Sequence, residues 1–259
     1  MPFLRRLRFP TPPGIEALAP ALPVFLPFQS SGLGTLGMVL VLVLLVISLG
    51  IHEAAHAWVA LKCGDSTARD LGRITLNPIP HIDLFMTILL PLGLYVATEG
   101  RFVFGGAKPV PVVFHRLRHP WRDMSLVALA GPASNFLLAV LFVAAWHFFV
   151  RTGWYNGAAE YAGARHQDLL PLVLVTTAAS NLLLAVFNLI PIPPLDGSRV
   201  MAYLLPPGMR EPYNAVGMYG MVLVFVLIYR VPPFNRFLMV TVSQLLTLVD
   251  SCVTLGGRW

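Results

Sequence analysis

Charge is what this chain lacks most. Asp, Glu, Lys and Arg make up only 12% of its 259 residues, hydrophobic residues make up 56%, and the mean hydropathy is +0.72. Soluble domains carry about twice that share of charge, so the composition excludes an ordinary water-soluble fold. Cysteine is equally scarce. Cys63 and Cys252 stand alone, which argues against a disulfide scaffold and a cysteine-type zinc site and leaves both as packing residues. The net charge of +6 does not point to nucleic acid, because the basic residues fall in short loops beside apolar runs, as membrane orientation requires. The reading is an all-α polytopic protein whose first partner is the lipid bilayer.

Four stretches are long and apolar enough to cross a bilayer: 33–63, 124–150, 169–190 and 213–231. Two more are weaker. Residues 84–98 are short and hold Pro91 and Gly93, which suits a re-entrant hairpin or a broken span. Residues 234–249 carry Asn235, Arg236, Ser243 and Gln244, and either span or lie in the interface. The expectation is five or six transmembrane helices in one domain over 33–250, with a flexible or interfacial segment 1–32 before it and a tail 251–259 after it. In the lead-in, Arg5, Arg6 and Arg8 precede an apolar stretch that Pro20, Pro23 and Pro27 interrupt, which argues against a cleaved signal. Lys62, Arg69, Arg73, Arg101, Lys108, Arg116, Arg118 and Arg122 form the densest cationic region, which places 61–123 on the cytoplasmic side. The three N-terminal arginines conflict with that orientation.

Inside the first apolar stretch sits HEAAH, made of His52, Glu53 and His56. Ionisable groups at that depth are costly, so three on one helical turn call for a function. Residues four apart share a helix face, which lets both imidazoles grip one zinc ion while Glu53 stands beside an attacking water. Catalytic zinc normally takes three protein ligands, so a third donor is needed. His147 lies at the far end of its span, and Asp70, His81 and Asp83 read as solvated loop residues. Asp196 is better placed. It follows NLIPIPPL at 188–195, where Pro191, Pro193 and Pro194 end an apolar helix and imply a polar cavity. From there its carboxylate either caps the next helix or turns to the metal.

With these residues in view, the chain resembles the site-2 protease family of intramembrane zinc metalloproteases. The resemblance rests on HEAAH at 52–56, GPASN at 131–135 and NLIPIPPLDG at 188–197, with support from GRITLNP at 72–78 and FGGAKPVPV at 104–112. It covers about 33–229 and implies one Zn2+ per chain held by His52, His56 and Asp196, with Glu53 as general base. It also places Asn135 and Asn188 near the catalytic centre, where either amide is a candidate donor to the oxyanion. It further implies a prokaryotic plasma membrane and a single-span membrane protein as substrate. The loop 151–168 is too short for an inserted PDZ domain, and no nucleotide-sensing CBS domain is expected, so regulation is absent or comes from a partner. A homo-oligomer is left open.

A small cytoplasmic-side β element is expected from 101–104 and 110–114, rich in Val and Phe, as an edge that pairs with an unwound substrate. One internal similarity stands out: AlaSerAsnPheLeuLeuAlaVal at 133–140 against AlaSerAsnLeuLeuLeuAlaVal at 179–186. It reads as two helices sharing a small-residue face with polar glue. Two other function classes fit histidines and an aspartate in apolar helices: a metal-binding or metal-transporting membrane protein, and an inactive scaffold for transmembrane segments.

Overall fold

A computed structural model describes residues 34–97, 105–152 and 169–256. The long helices are α1 (Gly34–Lys62), α4 (Pro120–Arg151), α5 (Leu169–Asn188) and α9 (Pro232–Gly256). Between them lie the short α2 (Thr67–Asp70), α3 (Leu90–Ala97), α6 (Asp196–Leu204), α7 (Pro207–Ala215) and α8 (Gly217–Arg230). α4 is the axis, packed against α1, α5, α6 and α9. Pro120 opens it at the first turn, where a missing N–H breaks no bond. Leu137, Leu141 and Phe148 on α4, with Val39 and Val43 on α1, face outward and exposed. In lipid such side chains need no protein partner.

Small and polar residues fill the contacts between α1, α4 and α5. Ala57, Ala60, Ala139 and Ala178 are fully buried, which lets the backbones approach closely. The repeated octapeptide explains the polar part. Its two asparagines, Asn135 on α4 and Asn181 on α5, are both fully buried and both turn to α1. Asn181 Nδ2 donates to Ser48 Oγ at 3.1 Å, and Asn135 reaches His52, one turn further along the same helix. The expected polar glue is therefore present on both helices.

Three helices among the described residues are long and apolar enough to cross a membrane: 39–62, 120–151 and 232–254. The expected 213–231 span is instead two helices, α7 and α8, bent by 75°, so a fourth crossing exists only if that pair counts as one. The described residues thus hold fewer full spans than the expected five or six. Hydropathy averages across a bend and cannot see it; the chain turns between Ala215, where α7 ends, and Gly217, where α8 begins. Residues 84–97 and 172–188 are shorter apolar helices. The first starts as a wide π-type turn (Leu84–Leu89), capped where Asp83 accepts the N–H groups of Phe85 and Met86. The 234–249 stretch, by contrast, lies within a helix long enough to span, and α9 runs on to Gly256.

No strand forms among the described residues, so the expected β element is not found there; residues 101–104 lie outside them. The physical reason is plain in 105–113. Pro109 and Pro111 have no N–H to offer a ladder, and the N–H groups of Val110 and Val113 go to the carboxylates of Glu53 and Asp65. The segment is tied to Glu53 on α1 and to Asp65 just beyond it by side chains, and its Gly106 and Lys108 N–H groups donate to the Met86 and His81 carbonyls.

Candidate metal centre

The end of α1 carries His52 and His56, both buried, on one face. Their Nε2 atoms are 3.0 Å apart. Asp196 Oδ2 lies 3.3 Å from the first and 3.4 Å from the second. Zinc bonded to nitrogen and oxygen at about 2.0–2.1 Å sets tetrahedral donors roughly 3.3 Å apart, so this triangle has the size a zinc ion requires. Asp196 Oδ2 is buried and hydrogen-bonded to neither ring despite its proximity to both. An orphaned carboxylate oxygen facing two imidazole nitrogens is the donor set of a metal site. Among the described residues it is the one such cluster of three.

Asp196 reaches this point because the chain after α5 is pinned from several sides. Ile190 and Leu195 pack with Val224, Ile228 and Leu238. Tyr213 donates its hydroxyl to the Pro191 carbonyl at 2.9 Å. A Cβ on Gly197 would collide with the Leu189 carbonyl, and one on Gly220 with the Pro193 carbonyl. Asp196 is the first residue of α6, Leu195 takes the cap position, and no side chain caps the helix. Of the two uses open to the carboxylate, the fold realises the one facing the histidines.

α4 completes the enclosure with three residues spaced four apart. Val127, Gly131 and Asn135 share one face of that helix. His56 Nδ1 donates to the Val127 carbonyl at 2.7 Å, which leaves Nε2 with its lone pair toward the cluster. Pro132 cannot donate to Ala128, which loosens the helical ladder beside that carbonyl. A Cβ on Gly131 would sit 2.5 Å from His56 Nε2 and 2.6 Å from His52 Nε2, inside the space between the donors. Asn135 Nδ2 lies 3.2 Å from His52 Nδ1.

Glu53, half-buried, lies on the same turn with Oε2 accepting the Val110 N–H at 2.8 Å. The loop carrying Val110 is bolted to the end of α1 by Asp65, which accepts the Val113 N–H at 2.6 Å and the N–H and hydroxyl of Thr67 at 3.0 and 2.5 Å. Burial alone would raise the Asp65 carboxyl, but the bonds from Thr67 and Val113, with the Arg116 charge, hold it below the usual carboxylate range. Arg73 braces the loop from the other side through the carbonyls of Pro80 and Pro109.

The other candidates have partners of their own. Asn188 is half-buried and donates to the Leu184 carbonyl at 3.0 Å. His147 pairs with Asp250 at 2.8 Å. Asp70 binds Ser66 and Arg69, Asp83 caps a helix, and His81, buried, reaches the Thr75 carbonyl. Val127 and Asp65 were not singled out by sequence reasoning, and Gly131 and Val110 entered only as members of the GPASN motif and of the expected 110–114 edge.

A HExxH pair closed by a distant aspartate, with the glutamate one residue away and apolar helices all round, defines a membrane-embedded metallopeptidase. Comparison with known proteins agrees: the family description "Peptidase family M50" matches residues 40–229. This chain belongs to that family, the site-2 protease family of zinc metalloproteases. It is similar to the Bacillus subtilis (strain 168) protein named "Putative zinc metalloprotease YwhC", 39% identical over 183 residues that cover 71% of this chain and 77% of that one. The Rip2 protein of Mycolicibacterium smegmatis, named in the same way, is 31% identical over 193 residues, or 74% and 67% of the two chains. The Rip2 protein of Mycobacterium tuberculosis (strain H37Rv) is 29% identical over 190 residues, or 73% and 66%. No solved structure matches the chain.

Proposed function

We propose that this chain is an intramembrane endopeptidase that cuts peptide bonds in or near the transmembrane segment of single-span membrane proteins, with zinc held by His52, His56 and Asp196. The observation that carries the reading is the donor triangle of 3.0, 3.3 and 3.4 Å with Glu53 on the same helical turn. When bound there, zinc supplies Lewis acidity, polarising a carbonyl and bringing the pKa of water to about 7. The rest of the chemistry belongs to the chain.

Glu53 is held by one oxygen, Oε2, at the Val110 N–H. Its other oxygen, Oε1, takes the proton of the attacking water and returns it to the leaving amine nitrogen, as a general base and then a general acid. Asn188 spends one amide hydrogen on Leu184 and keeps the second for the developing oxyanion. A helical substrate must unwind before attack, because its carbonyls are already bonded within the helix. The segment 105–113, whose Val110 meets Glu53, is the surface against which an unwound stretch would lie. The cationic residues between Lys62 and Arg122 support an active site toward the cytoplasm, and the bacterial relatives support a prokaryotic plasma membrane.

A metal transporter would need the same ligands but no base. Glu53→Gln decides between them: zinc content unchanged, cleavage of a single-span reporter in proteoliposomes lowered by about 10²–10⁴-fold, and uncut substrate retained on the variant. Undiminished cleavage by this variant would refute the mechanism.

A further inference from the structure

The two imidazoles at the metal centre are supported unequally. His56 gives its Nδ1–H to a backbone carbonyl, that of Val127, at 2.7 Å. His52 Nδ1 faces the side-chain nitrogen of Asn135 at 3.2 Å, while Asn135 Oδ1, wholly buried, has no partner. With the amide in that orientation, its N–H donates to a lone pair on Nδ1 and the proton of the neutral ring sits on Nε2. That proton would point at His56 Nε2, 3.0 Å away, and leave the ring unable to bind a metal.

The nitrogen and oxygen of an amide have nearly the same shape and exchange by a half-turn of the group. After the exchange the oxygen accepts Nδ1–H from His52 and the Nε2 lone pair faces Asp196 and His56. One contact is made and one amide atom is left over in either orientation, so the hydrogen-bond count does not choose. The chemistry of the ligand set does, since a ligating imidazole hands its second N–H to an oxygen acceptor. α1 and α4 run antiparallel here, so His56 meets Val127, His52 meets Asn135, and Gly131 stands between. One stripe of α4 then supplies an oxygen acceptor to each histidine and a gap for the ion.

We propose that Asn135 is a positioning residue for the metal: its side-chain oxygen accepts the Nδ1–H of His52 and fixes the tautomer that presents Nε2. This rests on the reading of His52, His56 and Asp196 as zinc ligands. It gives Asn135 a different duty from donation to an oxyanion. The variants separate the two. Asn135→Asp keeps an oxygen acceptor and loses the N–H donor; Asn135→Leu loses both.

The experiment is zinc competition against a chelator of known affinity, on the full chain purified in detergent. The proposal expects Asn135→Leu to bind zinc about 10–100-fold more weakly and Asn135→Asp to stay within about threefold of wild type or bind more tightly. A second readout uses the cobalt-substituted protein, whose ligand Nδ1–H protons resolve in paramagnetic NMR: the His52 signal keeps its wild-type position in Asn135→Asp and moves or is lost to solvent exchange in Asn135→Leu, while that of His56 stays in both. Wild-type zinc affinity in Asn135→Leu would overturn the proposal. So would zinc binding weakened about tenfold or more in Asn135→Asp, a result that counts against it even where the Leu variant fails to fold. A wild-type chain that binds no zinc would instead remove the ligand assignment itself.

Discussion

The backbone N–H of Val110 donates to Glu53 Oε2 at 2.8 Å, joining the middle of a proline-flanked loop to the proposed base. A carboxylate so anchored has one oxygen free and a fixed direction in which to use it. Val110→Pro removes the N–H and leaves the side chain apolar. A hydrogen bond to a charged group is worth about 1.5–3 kcal/mol, so turnover is expected to fall by roughly 10–100-fold with zinc content unchanged. Val110→Ala, which keeps the N–H, is expected to remain near wild type. Equal rates for the Pro variant and wild type would detach Glu53 from this anchor.

Gly131 gives a prediction whose sign is not obvious from propensity. Alanine is better than glycine in a helix by about 1 kcal/mol, and on that ground Gly131→Ala should stabilise α4. Its methyl, however, would stand 2.5–2.6 Å from the Nε2 atoms of both histidines. The expected result is intact helical circular dichroism with zinc per chain lowered at least tenfold and peptidase activity lost. Full metal content in Gly131→Ala would show that the ion does not sit between these rings and α4.

Asp65 makes stability depend on pH in a stated direction. Its carboxyl is held below its usual range in the folded chain by Thr67, Val113 and Arg116. A lowered folded value means the carboxylate stabilises the fold above the unfolded pKa of about 3.9, and that this is lost as pH falls through the folded value. Compared with Asp65→Asn, the wild type should be more stable by about 2 kcal/mol at pH 7, with the margin shrinking below about pH 4. Thermal unfolding in detergent at several pH values reads it. A margin that stays constant down to about pH 2 would contradict this role of the carboxylate.

Much of this site was legible before any coordinates. HEAAH announces itself because three ionisable groups at helical spacing have no cheap existence in an apolar run, and Asp196 because three prolines end a helix just before it. The shared octapeptide pointed to polar packing, and Asn135 and Asn181 supply it. What escaped depends on which segments meet. Gly131 matters only once α4 is known to cross α1 at the histidines, and Asp65 only once the loop 105–113 is known to lie beside it. The bend between α7 and α8 was hidden because hydropathy is summed without regard to direction. Among the described residues the β element is not found, for a local reason: Pro109 and Pro111 remove donors, and Glu53 and Asp65 take the N–H groups of Val110 and Val113.

The central claim is that one zinc ion binds jointly to the end of α1 and to the carboxylate after the proline turns. Metal analysis of the purified chain tests it directly, with wild type, Glu53→Gln and Asp196→Ala prepared side by side. One zinc per chain is expected in the first two and well under a tenth of that in the third. A wild type without zinc, or an Asp196→Ala chain that keeps it, would contradict the account.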